Sequence, residues 1–327
     1  MWPGDDTVSG GRPDVTGELQ RQVSGDGLLA PGRAVVVLYS GGRDSTCLLD
    51  LAAAISGRDA VTALHVNYGL RAGADEDERH CRVTADRLGI ELAVHRPTDH
   101  APDTGNLQAW ARAVRYEAAE RLARGRDADI AAGHTATDQV ETILYRLASS
   151  PSRRALLGMR PREGRLVRPL LAFTRAQTAE YCRRRGLAWR EDETNGTDVY
   201  ARNRIRRALV PALEAAHPAA QSNVLALAEV LAAEAAVLDE LVESVLRGRD
   251  EIPLAALRHQ PQALQRLIVQ RLADRAAGQP AAGVARRAAD VAALPDTGTA
   301  SVDLPHRVRA TARGGVVRFA RTPPLRK

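Results

Sequence analysis

The chain has 327 residues, 44% of them hydrophobic and 26% charged, which suits one large domain or two smaller ones around buried cores. No run of roughly 18 apolar residues lacks charge, and no basic-then-apolar leader opens the chain, so neither a membrane span nor secretion is expected. Cys47, Cys81 and Cys182 lie far apart. That argues against a disulfide framework or a Cys-x-x-Cys metal site, and it fits a reducing cytosol.

Charge is informative by its placement. The net charge is +6, and Lys327 is the only lysine. Between Arg146 and Arg207 there are 16 Arg against six acids, so this segment carries +10 and the rest of the chain −4. Biased base composition explains a high Arg/Lys ratio but not the clustering. A localised Arg field points to a phosphate-rich partner.

In chain order, residues 1–32 are rich in Gly, Asp and Ser and read as a disordered leader. Residues 34–38, Ala-Val-Val-Val-Leu, predict a buried strand. It breaks at Ser40-Gly41-Gly42, and a helical pattern covers 45–55. Further strands are predicted at 61–66, 91–95 and 129–132, with helices at 75–88, 107–122 and 138–147. This alternation predicts an α/β fold with a parallel, Rossmann-like sheet covered by helices, spanning residues 33–212. From about Pro211 the character changes, and residues 213–327 read as a second, mainly helical domain. Ser222 is placed to cap a helix whose Leu227, Leu231, Leu238, Leu241 and Val245 form an apolar stripe. Residues 302–319 read as short strands around Gly314-Gly315, a β end to that domain.

The sharpest local signal is Ser40-Gly41-Gly42-Arg43-Asp44-Ser45, between a strand and a helix. Glycines let backbone N–H groups close on an anion, the helix start adds partial positive charge, and the hydroxyls add donors. The Gly-Lys-Ser/Thr ending of a Walker A loop is absent. Asp44 is the odd member, because a carboxylate repels phosphates unless it holds Mg²⁺ or accepts a proton. Capping the helix is its plainer alternative role.

Four more motifs follow in order. His65-Val-Asn-Tyr-Gly-Leu-Arg71 ends the second strand, at the sheet edge where open α/β folds bind ligands. Gly105-Asn-Leu-Gln-Ala-Trp-Ala-Arg112-Ala-Val-Arg115-Tyr116 puts Arg112 and Arg115 one helical turn apart. Gly133-His134-Thr-Ala-Thr-Asp138-Gln-Val-Glu141-Thr142 follows the fourth strand. Trp189-Arg-Glu-Asp192-Glu-Thr-Asn195 leads into Arg202-Asn203-Arg204-Ile205-Arg206.

The loop resembles the PP-loop, Ser-Gly-Gly-x-Asp-Ser, of ATP pyrophosphatases. With the other four motifs, the chain resembles the tRNA(Ile)-lysidine synthases from about residue 34 to 215, and more loosely to its end. The resemblance implies an adenine nucleotide alpha-hydrolase-like fold, ATP with Mg²⁺ as cofactors, and a helical domain that grips tRNA. It implies a ligase that adenylates the C2 oxygen of the wobble cytidine of a CAU-anticodon tRNA(Ile). The ε-amine of free L-lysine then displaces AMP, and the lysidine product switches charging from methionine to isoleucine.

Under this resemblance Ser40, Gly41, Gly42, Arg43, Asp44 and Ser45 hold the nucleotide, with His65 and His134 as further contacts. Arg112, Arg115 and Arg206 are candidates for phosphate, with Arg115 counted as catalytic and Arg202 and Asn203 on the substrate side. A lysine amine with an unperturbed pKa near 10.4 needs a proton acceptor. Asp138 is the first candidate, with Asp44 at the metal or sharing the role, and Glu141 binds the ammonium. Three positions depart from the family pattern: Tyr68 in place of a second His, Thr137 in place of the first acid of an Asp-Asp-Gln run, and residues 148–152 in place of an Arg-Gly-Ser-Gly-type loop.

Aromatics are only 3%, so few residues can stack on splayed bases; Tyr145, Trp189 and Tyr200 are the candidates. Two other readings compete. One is a different PP-loop enzyme such as a tRNA thiolase, which the Cys spacing disfavours. The other is a non-catalytic ATP-sensing module, which would not need Asp138 or the Arg-Asn-Arg cluster. The oligomeric state is left open, a homodimer included.

Overall fold

A computed structural model describes residues 15–70, 72–98, 101–102, 107–150, 153–191 and 201–322, with the side chains of 201 and 202 excepted. The chain forms two compact units that divide between Leu225 and Ala226.

In the first unit, strands β1 (Val35–Leu38), β2 (Val61–Val66), β3 (Glu91–His95), β4 (Asp129–Ala131), β5 (Arg162–Glu163) and β6 (Leu166–Val167) make one sheet. Its order is β3-β2-β1-β4-β6-β5, parallel except for β5. The helices are α1 (Val15–Gly25), α2 (Arg43–Ser56), α3 (Ala74–Leu88), α4 (Leu107–Arg126), α5 (Ala136–Ser149), α6 (Arg175–Arg184), α7 (Ala201–Arg204) and α8 (Val210–Ala216). A π-helical turn, Ile205–Leu209, joins the last two.

Successive residues of a strand face opposite sides of its sheet. Val35 and Val37 therefore enter a core with Leu48, Leu51, Phe173 and Tyr181. Val36 and Leu38 enter a second core with Ala118, Ala119 and Ala123 of α4. Each such buried Val contributes about 1.5–3 kcal/mol, so β1 anchors both layers. The chain runs from β1 outward to β3 and then returns to β4 on the other flank of β1. That reversal opens a crevice at the carboxyl ends of β1 and β4, the place where such sheets take ligands.

The stretch read as a disordered leader contains α1. Val15, Leu19 and Val23 recur every four residues, and Leu19 and Val23 are fully buried in the first core. A Gly- and Asp-rich composition concealed a helical stripe.

The second unit begins within α9 (Ala220–Leu246). It continues through β7 (Glu251–Pro253), α10 (Leu254–His259), α11 (Gln262–Ala277), α12 (Ala288–Ala292), β8 (Thr299–Leu304), β9 (Val308–Arg313) and β10 (Val316–Arg321). Its sheet is antiparallel, in the order β7-β10-β9-β8. Ile268, Val269 and Leu272 of α11 share a core with Ala310, Ala312 and Val317. Ser222 does not cap α9; its hydroxyl donates to the Ala219 carbonyl from inside the first turn, at 2.9 Å. The buried face of α9 is Ala228, Ala235, Val242 and Leu246, whereas Leu227 and Leu241 of the expected stripe are exposed. Among the described residues no helix is long and apolar enough to cross a membrane.

Candidate active site

The loop after β1 needs its glycines for two reasons. Gly41 has φ +79°, and its carbonyl accepts the Arg190 N–H at 3.0 Å. A Cβ there would stand 3.0 Å from Cys81 Sγ and 3.2 Å from the His80 ring, so conformation and space both require glycine. Gly42 is the N-cap of α2 and supplies no side-chain cap to the first amides. The Ser40 and Ser45 hydroxyls lie 3.1 Å apart, and Ser45 Oγ donates to the Gly42 carbonyl at 2.8 Å. Amides at a helix start, left without a side-chain cap and flanked by two hydroxyls, suit an anion.

Asp44 does not cap this helix. Its Oδ1 accepts the Thr178 hydroxyl at 2.5 Å and Arg43 Nε at 3.0 Å. Its Oδ2 has longer neighbours, Arg43 Nη2 at 3.4 Å and Arg175 Nε at 3.7 Å. One carboxylate oxygen beside a phosphate loop fits Mg²⁺, which takes one or two carboxylates and completes its shell with phosphates and water. Among the described residues no cluster of three acids, His or Cys would hold a metal without a substrate.

The segment leaving β4 closes the other wall of the crevice. A Cβ on Gly133 would lie 3.1 Å from the Asp44 carbonyl, so the two backbones nearly touch. Thr135 then caps α5 in a reciprocal box, with its N–H and hydroxyl both donating to Asp138 Oδ2, at 2.9 and 2.8 Å. Asp138 thus does cap its helix, but with one oxygen. Its Oδ1 accepts Arg175 Nη2 at 2.7 Å. One turn on, Glu141 is 0% exposed and accepts Arg175 Nη1 at 3.2 Å and Arg206 Nε at 2.6 Å.

Arg206, expected at phosphate, is therefore committed to Glu141 and stays 4.0 Å from Asp138. The π-helical turn that carries it widens the helix locally, a feature frequent at functional sites. Arg175 and Thr178 were missed in the sequence because they belong to none of the five motifs. The signal that marks them is the capping box Thr174–Gln177, which starts α6 and sets both residues in its first turn.

The remaining candidates are dispersed. His65 is 5% exposed, and its Nδ1 lies 3.1 Å from the Tyr39 carbonyl and 3.3 Å from Cys81 Sγ. It supports the residue that precedes the loop, and burial lowers its pKa, so the ring is neutral there. His134 is half-buried on the segment after β4. The guanidinium of Arg112 lies 4.6 Å from the Tyr116 ring centre and that of Arg115 5.9 Å, and Arg115 Nε is buried without a partner among the described residues. Tyr68 donates to the Ala111 carbonyl at 2.8 Å and tilts against Trp110, tying the motif after β2 to α4. Asn203 is half-buried in α7. Arg71, Asn195, Tyr200 and the Arg202 side chain lie outside the described residues.

All three cysteines are buried. Burial pushes the Cys81 thiol up to about 12. Contact with Cys182, together with burial, raises that of Cys47. These are packing thiols, not ready nucleophiles.

The profile of the PP-loop domain matches residues 15–213. A tRNA(Ile)-lysidine synthase from Thermus thermophilus is 38% identical over 263 residues, covering 78% of this chain and 51% of that protein. One from Geobacter sulfurreducens is 32% identical over 322 residues, covering 90% of this chain and 66% of that protein. The chain thus spans about half to two thirds of the length of these relatives. A U34-tRNA thiolase structure from Methanococcus maripaludis shares the fold, with a TM-score of 0.56 at 17% identity over 66% of this chain and 78% of that one. The matched segment runs from α1 into α8 and holds the phosphate loop with all three carboxylates, and the chain belongs to the PP-loop domain family.

Proposed function

We propose that this chain is a tRNA(Ile)-lysidine synthase. The observation that carries the reading is one site with two ends: a phosphate loop at Ser40–Ser45, and beside it the carboxylates Asp138 and Glu141, joined to Asp44 through Arg175. ATP enters at the loop, where the α2 amides and the hydroxyls of Ser40 and Ser45 take its phosphates. The C2 oxygen of the wobble cytidine attacks the α-phosphorus, the α–β bridge breaks, and pyrophosphate leaves. Mg²⁺, held at Asp44 Oδ2, would neutralise charge on the phosphates.

The lysine ε-amine then attacks C2, the C2–O bond breaks, and AMP departs. The ammonium must lose one proton before it attacks, and Asp138 Oδ1, beside Arg175, is its acceptor; the proton released as the C2–N bond forms leaves with AMP or to solvent. Buried Glu141 and half-buried Arg206 form a pair suited to the charged head of an amino acid. Arg112 and Arg115 remain proposed phosphate contacts, with Arg202 and Asn203 on the RNA side. The proposed use of ATP, tRNA and free lysine, with three widely spaced cysteines, supports a cytosolic location. A thiolase would need reactive thiols, and here all three are buried.

The test is incorporation of labelled lysine into a CAU-anticodon tRNA(Ile) transcript with ATP and Mg²⁺. Initiator methionine tRNA, with the same anticodon, is the control. Label on the isoleucine tRNA alone is expected. Unlabelled tRNA with ATP still bound would overturn the reading and leave another PP-loop transferase.

A further inference from the structure

We propose that Arg175 is a positioning residue that couples the nucleotide end of the site to its amine end. The inference rests on the function proposed above. One guanidinium meets three carboxylates from two helices: Nη2 to Asp138 at 2.7 Å, Nη1 to Glu141 at 3.2 Å and Nε to Asp44 at 3.7 Å. Asp44 belongs to the phosphate loop's helix, and the other two to α5.

The base of this side chain is fixed at both elements. Thr174 and Gln177 cap α6 reciprocally, with the Thr174 N–H donating to Gln177 Oε1 at 2.8 Å. The Phe173 carbonyl accepts the Ala136 N–H at 2.8 Å, which ties the approach to α6 to the first residue of α5. From the same turn of α6 the Thr178 hydroxyl, three residues after Arg175, reaches Asp44. The first turn of α6 therefore touches both the loop carboxylate and the start of the helix that carries Asp138 and Glu141.

Three carboxylates gathered on one guanidinium would repel one another without that cation. Arg206 answers this for Glu141 but stays 4.0 Å from Asp138. Asp44 has Arg43 and Thr178 as further neighbours. At 2.7 Å, Arg175 Nη2 directs Asp138 Oδ1, the oxygen proposed to take the amine proton. A planar fork with three separate nitrogens can hold this arrangement, and a point-charge ammonium cannot.

The experiment measures wild type, Arg175→Gln, Arg175→Lys and Arg175→Ala in two half-reactions, with thermal unfolding alongside. Adenylation is read as tRNA-dependent ATP–pyrophosphate exchange without lysine. Transfer is read as KM and kcat for lysine. Arg175→Gln is expected to cut kcat/KM for lysine by about ten- to hundredfold, the range for one lost charge-assisted hydrogen bond. Pyrophosphate exchange should fall by a smaller factor, because Asp44 keeps Arg43 and Thr178. Low millimolar guanidinium should partly restore lysine transfer by Arg175→Ala. Arg175→Lys, which keeps the charge and the fold, should still show raised KM.

Wild-type lysine kinetics in Arg175→Gln, or in Arg175→Lys if the Gln variant does not fold, would overturn the inference. So would no response of Arg175→Ala to guanidinium. A lowered lysine KM would overturn it too, since Arg175 would then be a placeholder in the amine's seat. Wild-type protein that transfers no lysine would overturn the proposed function itself, and this inference with it.

Discussion

Replacing Gly133 by Ala tests the closeness of the two walls of the crevice. Gly133 has no positive φ, so alanine fits its backbone and only space is at issue. The added methyl would lie 3.1 Å from Asp44 C and O, and 3.2 Å from Ser45 N. Ordinary carbon contacts begin near 3.5 Å, so the walls must part by about 0.4 Å. All three atoms are backbone at the start of α2, so no side chain can swing away.

Overpacking of this kind costs about 1–3 kcal/mol, which lowers Tm by roughly 2–12 °C for a unit of this size. The displaced atoms belong to the phosphate loop. Sites of this sort are held to about 0.5 Å, and a 1 Å error costs about a hundredfold, so a shift of 0.4 Å should lower kcat/KM for ATP by about tenfold. Thermal unfolding and pyrophosphate exchange measure the two effects. Gly125→Ala is the matched control, because nothing lies within 4 Å of its added methyl and it sits in α4. It should be neutral or stabilising by up to about 1 kcal/mol. Gly133→Ala with wild-type Tm and wild-type ATP kinetics would show that β4 and α2 do not meet as described.

Asp138→Asn should keep the cap, since an amide oxygen still accepts from Thr135, while lysine transfer is lost; wild-type transfer would remove Asp138 from the proton path. Burial opposes ionisation of Asp129, but hydrogen bonds from Arg33 and Arg162 outweigh it and hold the carboxyl below its ordinary value. A depressed acid pKa stabilises the fold above about pH 3.9 and loses that contribution as pH falls through the folded value. Arg162→Gln should therefore move acid unfolding to higher pH, by a modest amount because Arg162 is 40% exposed; an unchanged acid midpoint would exclude the pair as a contributor. Native protein at neutral pH should resist a disulfide thiol reagent and yield three thiols only on unfolding; fast native labelling would contradict the burial of Cys47, Cys81 and Cys182.

What could be read from the chain depended on whether its cause was local. The run Val35–Leu38 followed by two glycines and a helical pattern is a local signature, and β1, the loop and α2 stand where it predicts. Helix α5 starts at Ala136, two residues before the expected 138, because Thr135 and Asp138 share the cap. The two-residue strands β5 and β6 are too short to leave a period. In β9 the inward positions are Val308, Ala310 and Ala312, and alanine there mutes the alternation that marks a strand. Asp44, Asp138 and Glu141 were legible from their motifs. Arg175 was not, because a lone arginine at a helix start acquires meaning only when the fold brings α2 and α5 to it.

The same distinction governs the Arg field. In sequence, residues 146–207 carry +10. In space, among the described residues, at least nine of the arginines, Arg162, Arg165, Arg168, Arg175, Arg183, Arg184, Arg185, Arg190 and Arg206, have a carboxylate within 4 Å. Several of these acids, Asp50, Glu76, Asp127 and Asp129 among them, come from the segment that carries −4. The field is thus partly neutralised by folding, and the proposed RNA partner would meet fewer charges than the count implies. Salt dependence measures this directly, since each phosphate contact adds about 0.7–0.9 to the slope of log K against log salt. Arg160→Gln, at an exposed position, should make tRNA binding shallower by about one such unit. Arg165→Gln, whose guanidinium holds Asp127 and the Ala128 carbonyl, should leave the slope unchanged. Equal changes in the two variants would mean that paired and exposed arginines serve the RNA alike, and that the charge count, not the fold, sets the affinity.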